Sequence, residues 1–203
     1  MKPLLVATGN AHQLGEYAAL LPGIPLVSLR DFSPAPPVVE DAPDFAGNAI
    51  LKARAGHAHT GHPCLADDSG IQVAALGGAP GVHSARYAPG TDVDRTAALL
   101  AAMKGQTDRR ARFVCLIALC GLPEEAPLPA GLIHQGDCVL ARGVVEGRLA
   151  HAPRGAAGFG YDPIFELPDG LTVAELPEAA KNAISHRGRA ARLVLPLLAD
   201  LFG

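Results

Sequence analysis

Strands and helices alternate along this chain of 203 residues, the pattern of an α/β protein, and three stretches carry that expectation. Residues 3–7 are a short apolar run broken by Thr8-Gly9-Asn10 before the periodic segment 12–21, so the chain opens as strand, turn, helix. Residues 112–122 form an almost unbroken apolar run with Phe113, Val114 and Ile117, which predicts a buried strand. Residues 189–202 are amphipathic and predict a closing helix. The length fits one domain, 1–203, with a substantial core, and a hydrophobic fraction of 49% agrees with that. A net charge of −3 offers no basic face to a nucleic-acid polymer, and 4% aromatic residues leave few stacking platforms, so the expected partner is a small molecule. The first apolar run ends at Thr8, too short for a signal sequence or membrane span, and a cytoplasmic protein is expected. Cys64, Cys115, Cys120 and Cys138 lack Cys-x-x-Cys spacing and lie mostly in apolar runs, which predicts reduced structural thiols.

The junction at Thr8-Gly9-Asn10 aims backbone N–H groups and a helix dipole at one spot, a seat for phosphate; a plain cap by Asn10 explains it equally well. Residues 24–29 predict a second strand, followed by a long loop to Pro43. Glu40 and Asp41 precede a predicted helix, 45–61, in which Asn48 and Lys52 are four apart and share a face. By spacing alone that face is a solvated one.

Residues 63–66 predict a strand that leads into the chain's single adjacent aspartate pair, Asp67-Asp68, and a Ser69-Gly70 turn. Neighbouring side chains on an extended backbone point to opposite faces, so one aspartate faces a cleft while the other supports the loop. Two like charges this close call for a compensating cation, and carboxylate oxygens suit Mg²⁺. A solvated turn accounts for Asp-Asp-Ser-Gly as well. Leu76-Gly77-Gly78-Ala79-Pro80-Gly81 then suits a backbone passing close to a ligand, and Arg86 follows as a phosphate-binding candidate.

Residues 92–103 predict a helix capped by Thr91 or Asp92, residues 122–131 with their prolines a connection, and residues 133–149 an antiparallel section punctuated by Gly136, Gly143 and Gly147. In the glycine-dense loop 155–163, Phe159 either offers an uncovered ring to a flat base or anchors the loop in the core. Lys181 and Ser185-His186-Arg187 precede the last helix, where Ser185 is also a plausible plain cap with His186 and Arg187 exposed.

Together these parts suit a nucleoside triphosphate, and the chain resembles the inosine triphosphate pyrophosphatase family, which hydrolyses dITP, ITP and XTP to the monophosphate and pyrophosphate. The resemblance runs nearly end to end, through Thr8-Gly9-Asn10, Glu40 with Phe45 and Asn48-Ala49, Lys52-Ala53, Ala66 to Gly70, Gly77 to Gly81, Ser84 to Tyr87, Gly158 to Phe165 and Ser185-His186-Arg187. It implies an elongated α/β fold with a central mixed sheet flanked by helices, two lobes with the active-site cleft between them, a homodimer and a requirement for Mg²⁺. Position by position, Asp68 matches the family's general base and metal carboxylate, and Glu40 a second acidic group at the metal. Thr8, Gly9, Asn10 and Lys52 match phosphate contacts and Ser69 a substrate contact. Phe159, Gly160, Tyr161 and Asp162 match the nucleoside loop, with Phe159 as stacking plate, and Lys181, His186 and Arg187 match the base-reading end.

Gln13 departs from the family's Thr-Gly-Asn-x-x-Lys, where the lysine reaches the phosphates. A neutral amide at this substrate-binding position brings no charge, and His12, Arg86 or helix amides are the candidate compensators. Two other readings remain: a Maf-type nucleotide pyrophosphatase, against which Phe159 and Ser185-His186-Arg187 speak, and a catalytically weak nucleotide-binding protein, against which Glu40, Asp67 and Asp68 speak.

Overall fold

The computed structural model describes residues 2–8, 11–34, 37–123 and 128–203, with backbone alone for Ala11, His12 and Glu178. β1 (Leu4–Val6) lies parallel to both β2 (Leu26–Ser28) and β3 (Cys64–Val73). The sheet continues through β4 (Arg110–Cys120), β6 (Cys138–Leu149) and β5 (Leu132–Gln135), in the order β2-β1-β3-β4-β6-β5. β5 and β7 (Phe165–Glu166) both pair antiparallel with β6, which makes the sheet mixed. The helices are α1 (Ala11–Leu20), α2 (Phe45–Thr60), α3 (Asp92–Ala102), α4 (Glu178–Ile184) and α5 (His186–Phe202).

The chain divides into two compact units. One holds the chain up to Asp68, Cys115–Gly143 and Arg187–Gly203; the other holds Ser69–Val114 and Val144–His186. β3, β4 and β6 each contribute to both.

In the first unit the period of two along each strand sorts the core into two faces. Leu4, Val6, Leu65, Cys115, Ile117 and Leu119 turn to the face that packs Tyr17 of α1 and Ala190, Ala191 and Val194 of α5. Leu5, Cys64, Ala66, Ala118 and Cys120 turn to the other, against Ala49 and Ala53 of α2. Small residues let α2 approach closely: a Cβ at Gly56 would stand 2.6 Å from the Cys64 sulfur. Asp44 caps α2 by accepting from the Gly47 N–H at 2.7 Å, and Gly61 ends it in the left-handed conformation at φ 64°. Cys120 and Cys138, on neighbouring strands, form a disulfide, which corrects the expectation of four thiols; Cys64 and Cys115 are buried and stand outside it. The two cysteines stand 18 positions apart in sequence, so no short-range cysteine motif announces the bond.

The second unit has its own core of Ile71, Val73, Leu99, Met103, Phe113, Leu149, Tyr161, Ile164 and Phe165. Here β3 corrects the sequence reading, because Ser69-Gly70 continues the strand instead of turning it. Gly70 is needed for a close approach: a Cβ there would lie 2.4 Å from the Ser84 hydroxyl oxygen, which accepts from the Ile71 N–H at 2.9 Å. Gly143 and Gly147 likewise lie inside β6, and only Gly136 sits at the β5–β6 turn. The backbone at Gly77 and Gly78 lines an open depression of about 480 Å³ together with Gln72, Arg110, Arg112 and Glu146.

Candidate active site

Strand alternation sends the two aspartates of β3 to opposite faces of the first unit. Asp68 follows Cys64 and Ala66 to the α2 face. Its Oδ2 accepts from Asn48 Nδ2 at 3.0 Å, and its Oδ1 lies 3.6 Å from Lys52 Nζ. Lys52 Nζ also lies 2.9 Å from Glu40 Oε2, so one ammonium joins the two carboxylates that the sequence singles out. Asn48 is buried and its Oδ1 accepts from the Ala42 N–H at 3.0 Å, which fastens the loop carrying Glu40 to α2. Asn48 and Lys52 thus use the face that spacing alone assigns to solvent. Burial raises the Asp68 carboxyl above its ordinary pKa, with Glu40 and Asp67 adding to the rise while Lys52 and Asn48 oppose it. Among the described residues no three His, Cys, Asp or Glu side chains gather at one point, so Glu40 with Asp68 is the acidic pair available to a metal.

Asp67 follows Leu65 to the α1 and α5 face and is buried. Its Oδ2 accepts from Arg187 Nε and Nη2 at 3.2 and 3.0 Å, and its Oδ1 accepts from Gln13 Nε2 at 2.6 Å. Arg187 Nη1 donates to Glu16 Oε2 at 2.7 Å, and the Thr8 hydroxyl donates to Gln13 Oε1 at 2.6 Å. Burial, then the neighbouring Asp67, hold the Tyr17 phenol well above its ordinary pKa. The amide of Gln13 is therefore bonded at both ends, and Arg187 is a buried side chain facing two carboxylates, not the exposed residue that a plain Ser185 cap implies. Gly9, Asn10 and the His12 side chain lie outside the described residues. Arg86, the other named compensator for Gln13, belongs to the second unit and donates from Nε to His83 Nδ1 at 3.3 Å.

The second unit gathers Phe159, Asp162, Lys181 and His186. Phe159 is 47% exposed, so it is not a core anchor; Tyr161 takes that role, buried and donating its hydroxyl to the Ser84 carbonyl at 2.8 Å. Lys181 Nζ stands 4.2 Å from the centre of the Phe159 ring and 2.8 Å from Asp162 Oδ2. The His186 ring stacks on Phe113 with centres 4.9 Å apart and planes 16° from parallel. Phe113, Asp162, Lys181, Ser185 and His186 line a small cavity of about 20 Å³. Ser69 is the half-buried first residue of this unit.

Sequence reasoning missed Glu16 and Asp92. Each meets its partner across a long stretch of chain and had no local signal beyond an acidic side chain near a predicted helix. Asn48 appeared in the motif but not as a partner of Asp68.

Comparison with known proteins follows the same lines. The profile of the Ham1 family matches residues 4–197. A dITP/XTP pyrophosphatase of Symbiobacterium thermophilum is 50% identical over 191 residues, 93% of this chain and 91% of that protein. A solved HAM1 protein from Coxiella burnetii superposes with a TM-score of 0.85 at 41% identity, covering 98% of this chain and all of that one. A solved nucleoside-triphosphatase, dITP/XTP pyrophosphatase, from Mycobacterium abscessus gives a TM-score of 0.75 at 43% identity, over 96% of this chain and 99% of that one.

Proposed function

The chain belongs to the Ham1 family, and from that premise we propose that it hydrolyses dITP, ITP and XTP to the monophosphate and pyrophosphate. The observation that carries the proposal is the joining of Glu40 and Asp68 through Lys52, with Asn48 bonded to the same aspartate. Asp68 takes the proton from the attacking water, a role that a carboxyl raised by burial performs better than one in bulk solvent. Lys52 neutralises charge developing on the phosphoryl oxygens, where a positioned cation contributes most.

The reading includes Mg²⁺. Glu40 and Asp68 offer hard carboxylate oxygens and already share one cation, the Lys52 ammonium, so this donor set fits the ion. When bound, Mg²⁺ supplies charge neutralisation for the triphosphate and the leaving pyrophosphate. Thr8, Gly9, Asn10 and Ser69 are assigned to the substrate's phosphate and sugar side, and Phe159 to the base.

Selectivity follows from donors. Hypoxanthine and xanthine present a carbonyl at purine position six, which accepts from Lys181 or His186, whereas adenine presents an amino group. Each donor left unsatisfied costs about 1–3 kcal/mol, so two mismatches exclude ATP by several powers of ten. Tyr161 and Asp162 are assigned to shaping the loop and Arg187 to holding Asp67, because the Tyr161 hydroxyl, Asp162 Oδ2 and the Arg187 guanidinium are bonded within the protein.

A homodimer and a cytoplasmic location complete the proposal; no helix among the described residues is long and apolar enough to cross a membrane. The deciding experiment separates the products of ITP and ATP with Mg²⁺ and with EDTA. The expected result is inosine monophosphate and pyrophosphate, from ITP alone and with Mg²⁺ alone. Inosine diphosphate with orthophosphate overturns the reaction type, and light scattering at the monomer mass overturns the dimer.

A further inference from the structure

In the loop 158–162 three backbone donors are already engaged. The Phe159 N–H donates to Asp162 Oδ2 at 3.0 Å, the Asp162 N–H to the Phe159 carbonyl at 3.2 Å, and the Gly160 N–H to Asp92 Oδ2 at 2.7 Å. The Gly160 carbonyl accepts from the Thr96 hydroxyl at 3.3 Å. Asp92 and Thr96 are four apart on α3 and so share one face of it. The helix does not need Asp92 as its cap, because Thr91 and Asp94 form a reciprocal capping box with their own side chains and N–H groups. Arg95 Nη2 takes the other Asp92 oxygen and Arg95 Nη1 holds the Gly90 carbonyl at 2.9 Å, which fixes the carboxylate in place. At the opposite end, Asp162 Oδ2 would stand 2.2 Å from a Cβ at Gly158, so the turn closes tightly around that carboxylate.

Resting on the function proposed above, we propose that Asp92, assisted by Thr96, is a positioning residue for the nucleotide base: it clamps Gly160 and so pre-orders the exposed Phe159 ring for stacking. Three consequences follow from the geometry. The loop amides at 159, 160 and 162 are held within the protein and are not base readers, which makes the side chains of Lys181 and His186 the first candidates for reading the base edge. Lys181 Nζ lies over the Phe159 ring, so the loop order that Asp92 supplies also sets where that ammonium meets the base. Ordering the loop before substrate arrives lowers the entropic cost of binding, an effect felt equally in ground and transition states, so its loss appears in KM and not in kcat. Asp92 sits below the usual carboxylate range chiefly because of the Gly160 N–H, then Arg95, in keeping with a clamp that stays charged.

The test has a kinetic arm and a fluorescence arm. Asp92→Ala is expected to raise KM for ITP about tenfold with kcat within about twofold, the scale of one charge-assisted hydrogen bond. Asp92→Asn keeps an acceptor for the Gly160 N–H and is expected to recover most of that loss, and Thr96→Val to raise KM about twofold. The chain has no tryptophan, so Phe159→Trp places a single reporter on the loop. Adding Asp92→Ala to that background is expected to increase acrylamide quenching, and Asp92→Asn to change it little. Unchanged quenching, or a kcat loss at constant KM, overturns the clamp. If the native chain releases no pyrophosphate from ITP, the proposed function falls, while quenching still decides whether Asp92 orders the loop. If Asp92→Ala does not fold, Thr96→Val and Asp92→Asn carry both arms: a KM rise with Thr96→Val supports the clamp, and no change in either variant overturns it.

Discussion

The two clusters of this protein are built on opposite plans. In the first unit Asp67, Glu16 and Arg187 are buried, with Arg187 bonded to both carboxylates, and Lys52 ties Glu40 to Asp68. In the second unit the central side chain, Phe159, is an exposed hydrocarbon ring, and the charged groups Asp92 and Asp162 hold its backbone. Buried charge that is mutually satisfied gives a fixed field but tolerates no missing partner. An exposed ring on a clamped loop is dispensable to the fold and contributes affinity. The first cluster should therefore govern kcat and stability, and the second KM.

The largest effect that can break this contrast lies at Asp68. Asp68→Asn keeps shape and a hydrogen-bonding oxygen while removing the proton acceptor, and is expected to lower kcat by ~10²–10⁴-fold in a chain that melts normally. Near-native kcat would move the base to Glu40. Next is Arg187→Ala, which strands Asp67 and Glu16 without their guanidinium and should cost about 3–5 kcal/mol in denaturant unfolding. Unchanged stability with a raised KM would return Arg187 to reading the base. Phe159→Ala should raise KM for ITP about tenfold, in line with ~1–3 kcal/mol per stacked base, with kcat and melting temperature unmoved. A drop in melting temperature would mean the ring is structural after all.

Gln13→Lys is a finer probe. The Gln13 amide points at Asp67, so a lysine there should pair with that carboxylate and add on the order of 1 kcal/mol of stability. The expected kcat/KM stays within about twofold at low and high salt, since a gain confined to low ionic strength is the mark of a phosphate contact. Smallest is the alkaline limb. Burial pushes Cys64 of the first unit from 9.0 to about 12 and Tyr161 of the second from 10.0 to about 12. A folded-state pKa above the unfolded one gives stability that is complete below the unfolded value and lost as pH rises toward the folded one, here between pH 9 and 12. Cys64→Ala and Tyr161→Phe should each shift the alkaline unfolding midpoint upward by roughly a few tenths of a pH unit. A shift with one variant alone would show that the units do not share the transition.

Much of the site was legible because periodicity is local. Alternation on β3 separates Asp67 from Asp68, and four-residue spacing on α2 sets Asn48 beside Lys52. Of the two readings that the flanking glycines left open for Phe159, its exposure speaks against the core anchor. What was not legible depends on partners distant in sequence. Ser69-Gly70 reads as a turn until Ser84 is found against Gly70, and Cys120 and Cys138 read as thiols until β4 and β6 are neighbours. Arg187 beside a plain Ser185 cap reads as exposed until Asp67 and Glu16 appear on the same face and bury it. The carboxylates of Asp92 and Asp162 look like a helix cap and a ligand contact, and the structure adds a loop amide to each, that of Gly160 and that of Phe159.

The reach of Arg187 also sets an order of events during synthesis. Its partners precede it by 120 and 171 residues, so at ~5–20 residues/s Asp67 waits on the order of 6–24 s for its cation after it is made. Until then the nascent sheet carries two carboxylates and an apolar face that α1 covers only in part, because α5 supplies Ala190, Ala191 and Val194 along with the guanidinium. A ribosome stalled before residue 187 would hold a chain unable to finish its first unit, and that is the species on which a chaperone or protease would act.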